Sequence, residues 1–131
     1  MQYMMLIYLN ESGAPDEAQR AKCYEESAAF ARQLHARGQY IFSAPLHPTS
    51  TATSVRAVEG KRLVTDGPFA ETREQLGGFF LIDAANLDEA IDIASQIPAG
   101  RFGTVEVRPV VEISGLPTSR PVDLTASGST Q

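Results

Sequence analysis

The residues best suited to chemistry lie in one short polar stretch between two apolar runs. Asp66 precedes the dipeptide Gly67-Pro68, and Phe69 follows it. Pro68 fixes its own φ angle and Gly67 tolerates backbone angles that other residues resist, so we expect a stiff turn that holds Asp66 at a strand end. Desolvation beside Phe69 would make Asp66 a general base. The alternative is that its carboxylate caps its own turn.

Charged residues continue along the loop that follows this turn. Glu71, Arg73 and Glu74 are close enough in sequence to clamp a small polar ligand. Arg73 suits such a clamp because a guanidinium binds a carboxylate through two parallel hydrogen bonds. The alternative is a solvated cluster of ion pairs, which is the usual role of a charged run.

Arg108 is a third candidate because of its apolar neighbours. Val105, Val107 and Val110 surround it in a pattern typical of a buried strand. A buried cation needs a partner, and we expect Asp66 or Glu71 to supply it, in a structural or a functional role.

His47 lies in the segment Pro45-Leu46-His47-Pro48, where an imidazole can act as an acid–base group or as a ligand. Ser43 would supply a hydroxyl beside it. The alternative for a single loop histidine is simple exposure to solvent. The sequence has no spacing typical of metal ligands, and Gly77-Gly78 lacks the lysine of a phosphate-binding loop, so we expect neither a metal nor a cofactor.

The elements that must position these residues follow from hydrophobic periodicity and from turn signals. We expect a central strand covered on both sides, a helix from Pro15 to Arg37 that ends at Gly38, and a hairpin around Glu59-Gly60. The predicted strands are 3–9, 39–44, 54–58, 61–65, 78–83 and 104–111, and a second helix runs from Asn86 or Asp88 to Gln96. This order predicts an α+β protein with the ferredoxin-like split βαβ fold and an inserted β-hairpin.

Two predictions concern which side chains face the core. The first helix has apolar residues at helical spacing, and we expect that face to pack on the sheet: Ala21, Tyr24, Ala28, Ala31 and Leu34-His35. Alternation in the hairpin predicts that Val55 and Leu63 point inward.

The composition excludes several classes of function. Eleven basic residues stand against sixteen acidic ones, which gives a net charge of -5, and the basic residues are scattered rather than clustered. A nucleic-acid surface needs clustered Lys and Arg, so we expect no nucleic-acid partner. Cys23 is the only cysteine, which excludes an internal disulfide and fits a reducing cytoplasm. No apolar run is long enough to span a membrane.

The segment Asp66-Gly67-Pro68-Phe69, with the run that follows it as far as Phe79, resembles the signature of the DGPF-domain proteins, a branch of the YciI-related superfamily. Residues 1–8, 52–56 and 105–110 resemble the same family in the same order. The resemblance implies a ferredoxin-like domain over 1–113 that forms a dimeric α+β barrel. We therefore expect a homodimer, and a flexible or partner-wrapping tail over 114–131.

The resemblance also implies what the chain lacks. Members closer to YciI carry a histidine in the first helix and an aspartate after the second, a pair proposed as a catalytic dyad. The matching positions here hold Ser27 and Ile97. Such a dyad therefore cannot be carried over to this chain.

The sequence is compatible with three functions. The first is a pocket between sheet and helices that binds a small molecule, with Asp66, Arg73 and Arg108 as polar anchors and isomerase- or lyase-like acid–base chemistry. The second is a ligand-sensing or accessory module acting with an extracytoplasmic-function sigma factor, which the resemblance suggests. The third is a structural dimer without a ligand. The expected pocket lining is Tyr8, Phe69 and Phe79.

Overall fold

A computed structural model describes residues 1–13 and 15–117. The chain is an α+β protein with six strands and two α-helices in this described part. The strands are β1 (Gln2–Leu9), β2 (Tyr40–Pro45), β3 (Thr53–Val58), β4 (Lys61–Asp66), β5 (Gln75–Asp83) and β6 (Gly103–Pro109). The helices are α1 (Glu17–Ala36) and α2 (Leu87–Ser95), and short 3-10 turns span Thr49–Thr51 and Pro98–Phe102.

Four strands form one antiparallel sheet in the order β2-β5-β1-β6. The units β1-α1-β2 and β5-α2-β6 each place a helix between two strands, and both helices pack on the same face of the sheet. This is the split βαβ arrangement of a ferredoxin-like fold, with the hairpin β3–β4 inserted between the two units. The predicted fold class is confirmed.

Helix α1 begins two residues after the predicted Pro15 and ends one residue before the predicted Arg37. Asp16 is the N-cap residue, and its carboxylate accepts a hydrogen bond from the backbone N–H of Gln19 at 2.8 Å. The Gln19 side chain accepts one from the N–H of Asp16 in return, which completes a capping box. Helix α2 begins after Asn86, whose side chain accepts from the N–H of Glu89. Local capping chemistry therefore determines both helix starts.

The predicted inner face of α1 is wrong. Its buried side chains are Cys23, Phe30 and Leu34, whereas Tyr24 is 47% exposed. Alanines lie on several sides of this helix, and their small side chains do not distinguish a buried face from an exposed one. Of the predicted set, Leu34 is buried and Ala31 is half-buried; Ala21, Ala28 and His35 are exposed.

The core lies between the helices and one face of the sheet. Tyr3, Met5 and Ile7 alternate along β1 and point into it, where Phe80 and Ile82 of β5 meet them. The intervening residues of β1 are only half-buried, since no helix in the described part covers the second face. The prediction that β1 is covered on both sides is therefore wrong for the single chain. We call this second face, which carries Met4, Leu6, Tyr8, Phe79, Leu81, Glu106 and Arg108, the open face.

The inserted hairpin projects from the sheet. Its strands pair in register from Thr53 with Asp66 to Val58 with Lys61, and Glu59-Gly60 forms the predicted turn with positive φ angles of 49° and 77°. The prediction that Val55 and Leu63 point inward is wrong, because these side chains are 62% and 50% exposed. Alternation along a strand indicates two faces, but it does not indicate whether anything covers either face.

No helix among the described residues is long and apolar enough to cross a membrane. Residues 114–117 are exposed. The rest of the predicted tail, from residue 118 onward, lies outside the described residues.

Candidate functional site

The turn after β4 has the expected stiff geometry, although Asp66 does not stabilise it. Gly67 has a φ of 98°, which a residue with a Cβ rarely adopts. The N–H of Gly67 donates to the carbonyl of Ala52 at 2.8 Å, and the Ser54 hydroxyl donates to the carbonyl of Gly67 at 2.7 Å. The Asp66 carboxylate is exposed and accepts no hydrogen bond from any described residue. The described residues therefore show neither the turn cap nor the burial that we expected around Asp66, and its catalytic role stays a prediction.

A groove of about 420 Å³ lies beside this turn. It is at the end of the sheet where β1 and β2 finish and β5 begins, and the connections between these elements form its walls. Two carboxylates, three hydroxyls and one side-chain amide line it, and no basic side chain of the described residues does. The lining residues are Glu11, Thr49, Ser50, Gly67, Pro68, Glu71, Thr72 and Gln75. We call it the turn groove.

Glu11 is the most firmly held polar side chain of the turn groove. Its Oε2 accepts a hydrogen bond from the backbone N–H of Thr49 at 3.1 Å, and its Oε1 accepts one from the Thr49 hydroxyl at 2.6 Å. Both oxygens of one carboxylate are thus engaged by one residue, 38 positions away in the chain. This contact ties the loop after β1 to the connection that leads into the hairpin, and it fixes the position of a half-buried negative charge.

The loop after the turn forms neither the predicted clamp nor the alternative cluster of ion pairs. Glu71 and Arg73 are exposed, and the ion pairs among the described residues join the N-terminus to Asp83 and Arg101 to Glu26. The loop is instead stabilised by its own polar groups, since the side-chain amide of Gln75 donates to the carbonyl of Thr72 at 2.8 Å. Of the charged residues predicted in this loop, Glu71 lines the turn groove and Arg73 does not.

Arg108 lies on the open face of β6 and is exposed, so the predicted burial is wrong. It pairs in register with Met4, and no ion pair joins it to Asp66 or Glu71 within the described residues. The prediction failed because successive side chains of a strand point to opposite faces of the sheet. Val105 and Val107 face the helices, so Arg108 points to the open face.

Tyr8 and Phe79 lie on the same open face as Arg108, and not between the sheet and the helices. The Tyr8 hydroxyl donates to Glu106 Oε1 at 3.1 Å. Burial raises the pKa of Tyr8, and the hydrogen bond and negative charge of Glu106 raise it further, while Arg108 opposes the shift. Phe79 packs against Phe42, with 5.9 Å between the ring centroids. The third predicted lining residue, Phe69, is 79% exposed and lies near the guanidinium of Arg56.

Ser43 and His47 do not form one site. Ser43 points to the helix-covered side of β2, where its hydroxyl lies 2.8 Å from that of Tyr40. His47 is exposed in the following loop. Ser43 instead lines a second groove of about 590 Å³ between α1 and β2, together with Ala28, Ala31, Arg32, His35 and Tyr40.

The two positions assigned to the missing dyad offer no acid–base pair. Ser27 is half-buried on α1, and Ile97 is buried in the core. Near them, burial raises the pKa of the Cys23 thiol against the opposing charge of Arg101. Arg101 donates to Glu26 and lowers the pKa of that carboxyl. The described residues include no group of three His, Cys, Asp or Glu placed to hold a metal ion.

The structure therefore divides the predicted site residues among separate regions. Gly67, Pro68 and Glu71 border the turn groove; Tyr8, Phe79 and Arg108 lie on the open face. Glu11 was missed, although the topology could have indicated it. It follows the central strand β1, whose last residue, Leu9, pairs with Gln75 at the start of β5. A residue just beyond Leu9 must lie near the loop that enters β5.

The chain belongs to the family described as the YCII-related domain, whose model matches residues 1–114. It is 40% identical over 114 residues to an uncharacterized protein of Rhizobium meliloti (strain 1021), covering 84% of this chain and 92% of that protein. Among solved structures it is similar to 5-chloro-2-hydroxyhydroquinone dehydrochlorinase from Burkholderia phenoliruptrix AC1100, with a TM-score of 0.48 and 18% identity. That similarity covers 85% of this chain and 94% of the dehydrochlorinase chain.

Proposed function

We propose that this protein is a small-molecule-binding member of the DGPF branch of its family and that the turn groove is its binding site. The observation that carries the proposal is the half-buried Glu11 carboxylate, held by two hydrogen bonds from Thr49 in a groove beside the motif that suggests the branch. A carboxylate oriented in this way has a fixed direction in which to accept a further hydrogen bond or a proton.

The composition of the turn groove favours a particular kind of ligand. Its lining has carboxylates at Glu11 and Glu71 and hydroxyls at Thr49, Ser50 and Thr72, and within 1–13 and 15–117 no basic side chain joins them. Anions are repelled there, whereas hydroxyl and amine groups find acceptors. We expect a small neutral or cationic molecule that is rich in hydrogen-bond donors.

If the protein is an enzyme, a carboxylate at the turn groove would transfer the proton. Glu11 and Glu71 line the groove, and Asp66 directly precedes two residues that line it. These three are the candidate bases, and the reaction classes that a carboxylate can serve without a nucleophile or a metal are isomerisation and elimination. Arg73 and Arg108, the anion stabilisers expected from sequence, do not line the groove in the single chain, and that role would require a second chain.

A homodimer forms the second part of the proposal. The open face carries Met4, Leu6, Phe79 and Leu81 on adjacent strands, without a covering helix in the described part. Two such faces in contact would bury this apolar surface and make the α+β barrel that the resemblance implies. Sedimentation velocity from 1 to about 100 μM tests this, since a transition to twice the monomer mass is expected over the usual affinity range of such interfaces. A monomer throughout would contradict it.

A thermal-shift screen tests the binding site. Small polyols, amino sugars and amines are screened against the wild type and against two variants that carry the same change. Ser50→Tyr places a phenol in the turn groove, whereas Ser95→Tyr places one on an exposed part of α2. A ligand that stabilises the wild type and Ser95→Tyr but not Ser50→Tyr supports the site. A ligand that stabilises all three equally does not bind there.

The accessory-module alternative rests on a different observation. The hairpin exposes several valines, Phe69 in the turn that follows it is 79% exposed, and exposed apolar groups suit a protein partner. Under this alternative, a sigma factor of the extracytoplasmic-function type would bind the purified chain with a measurable affinity, and the small-molecule screen would give no ligand.

A further inference from the structure

The hairpin β3–β4 presents apolar side chains on both of its faces. Val55 pairs with Val64, and Arg56 pairs with Leu63, so alternation along the strands defines the two faces. Val55 and Val64 lie on one face; Val58 and Leu63 lie on the other. Their exposed fractions are 62%, 53%, 41% and 50%, in that order. Of the twelve strand residues, only Ser54 is not exposed.

An isolated two-stranded hairpin of this kind is at best marginally stable in water. Stable hairpins gain a third strand or a hydrophobic surface to pack on, and within the described residues this hairpin has neither. Its strands are nevertheless rich in valine and threonine, which favour a half-buried pleated surface. We propose that the hairpin docks on a second copy of this chain, which covers at least one of its apolar faces.

The distribution of charge along the sequence favours a second copy of this chain as the partner of the hairpin. The hairpin carries Arg56, Lys61 and Arg62 against Glu59 and Asp66, so it is net positive on a chain whose net charge is -5. The remainder of each chain therefore carries a net charge of -6, opposite in sign to that of the hairpin, which favours contact between the hairpin of one copy and the body of another.

A second copy also offers an apolar surface of its own. No described helix or strand of the chain covers Leu6, Phe79 and Leu81 on the open face, and the same is true of the hairpin. In a twofold-symmetric dimer each hairpin can contact the other chain, so both copies gain the same cover. The contact would also fix the wall that Gly67 and Pro68 contribute to the turn groove, because these residues directly follow β4.

This inference goes beyond a dimer formed by the open faces alone, because such a dimer does not require the hairpin. Two variants each remove one apolar face while keeping strand geometry: Val55→Thr with Val64→Thr, and Val58→Thr with Leu63→Thr. The control is Leu87→Thr with Ile91→Thr, which makes the same kind of change at two exposed apolar residues of α2. The dimer dissociation constant is measured by sedimentation for each protein.

At least one hairpin variant is expected to raise the dimer dissociation constant by about 100-fold, since each dimer would bury four added hydroxyls. The control is expected to leave it within about threefold. Equal dissociation constants for the wild type and both hairpin variants would overturn the inference while leaving the open-face dimer intact. A wild type that is monomeric throughout would overturn both. The screen of Ser50→Tyr tests the turn groove separately from either result.

Hydrogen exchange of the wild type avoids reliance on variants. Backbone amides of β3 and β4 are followed at protein concentrations above and below the dimer dissociation constant. Protection that is present above it and lost on dilution, while the core strand β1 stays protected, supports docking. Hairpin protection that does not change with concentration would show that the hairpin is stable within one chain, which contradicts the proposal.

Discussion

The hydrogen bonds between Thr49 and Glu11 give a sharp test of how the turn groove is built. Thr49→Val keeps the shape and the backbone N–H but removes the hydroxyl that donates to Glu11 Oε1 at 2.6 Å. Hydrogen bonds to charged groups contribute about 1.5–3 kcal/mol to stability, and the half-buried position of both residues favours the lower part of that range. We expect a loss of about 1.5–2 kcal/mol, which corresponds to a fall in Tm of about 6–8 °C for a domain of this size.

A neighbouring residue provides the control for this substitution. The Thr51 hydroxyl donates to the carbonyl of Pro48 at 2.7 Å, so it makes a neutral hydrogen bond within its own turn. Thr51→Val is expected to cost less than about 1 kcal/mol. Both variants are measured by urea unfolding at one protein concentration, alone and combined with Glu11→Gln.

The double-mutant cycle decides whether the contact with Glu11 is the cause. Thr49→Val and Glu11→Gln should be coupled by about 1 kcal/mol, whereas Thr51→Val and Glu11→Gln should add within about 0.5 kcal/mol. If Thr49→Val costs no more than Thr51→Val and shows no coupling to Glu11→Gln, the carboxylate is not held as described. Glu11 would then not be an oriented acid–base group.

Three further predictions concern the rest of the molecule. NMR titration of the tyrosine rings should show the pKa of Tyr8 above the usual tyrosine value, and Glu106→Gln should lower the Tyr8 pKa without fully restoring that value, because the burial remains. The folded state therefore holds the Tyr8 hydroxyl proton more tightly than the unfolded state does. The contribution of this proton to the free energy of unfolding is complete below the unfolded tyrosine pKa of about 10, and it is lost as the pH rises through the pKa of Tyr8 in the folded state. Cys23 should react with a thiol reagent at pH 8 more slowly than a free cysteine and should regain full reactivity in urea; equal native and unfolded rates would contradict its burial. Gly103→Ala should destabilise the fold by about 2 kcal/mol or more, because its Cβ would lie 1.8 Å from the Tyr8 carbonyl oxygen, whereas Gly13→Ala, whose nearest atom is 3.8 Å away, should cost little.

The fold could be predicted from the sequence because the residues that begin and end its helices and turns act through local backbone interactions. Asp16 before the first helix, Asn86 before the second and Glu59-Gly60 in the hairpin each specify a boundary through their own backbone chemistry. The order of the elements then leaves few topologies that match a single antiparallel sheet with helices on one face.

The surroundings of the candidate residues could not be predicted in the same way, because they depend on tertiary contacts. The contact between Glu11 and Thr49 joins two loops that are distant in sequence, and the partners predicted for Arg108 lie elsewhere in the single chain. Periodicity places Val55 on one face of a strand, but what covers that face depends on the rest of the molecule or on another chain. The buried face of the alanine-rich helix α1 could not be predicted for the same reason. Phe30 and Leu34 determine that face, and alanines occur on several sides of the helix.

The most direct test of whether the turn groove is the binding site is to map a bound ligand on the backbone amides of the protein. A hit from the thermal-shift screen is titrated into isotope-labelled wild type, and chemical-shift changes are followed by NMR. We expect the largest changes at residues that line the turn groove: Glu11, Thr49, Gly67 and Thr72. Changes concentrated instead on Ala31, Arg32 and Ser43 would place the ligand in the groove between α1 and β2 and would contradict the account.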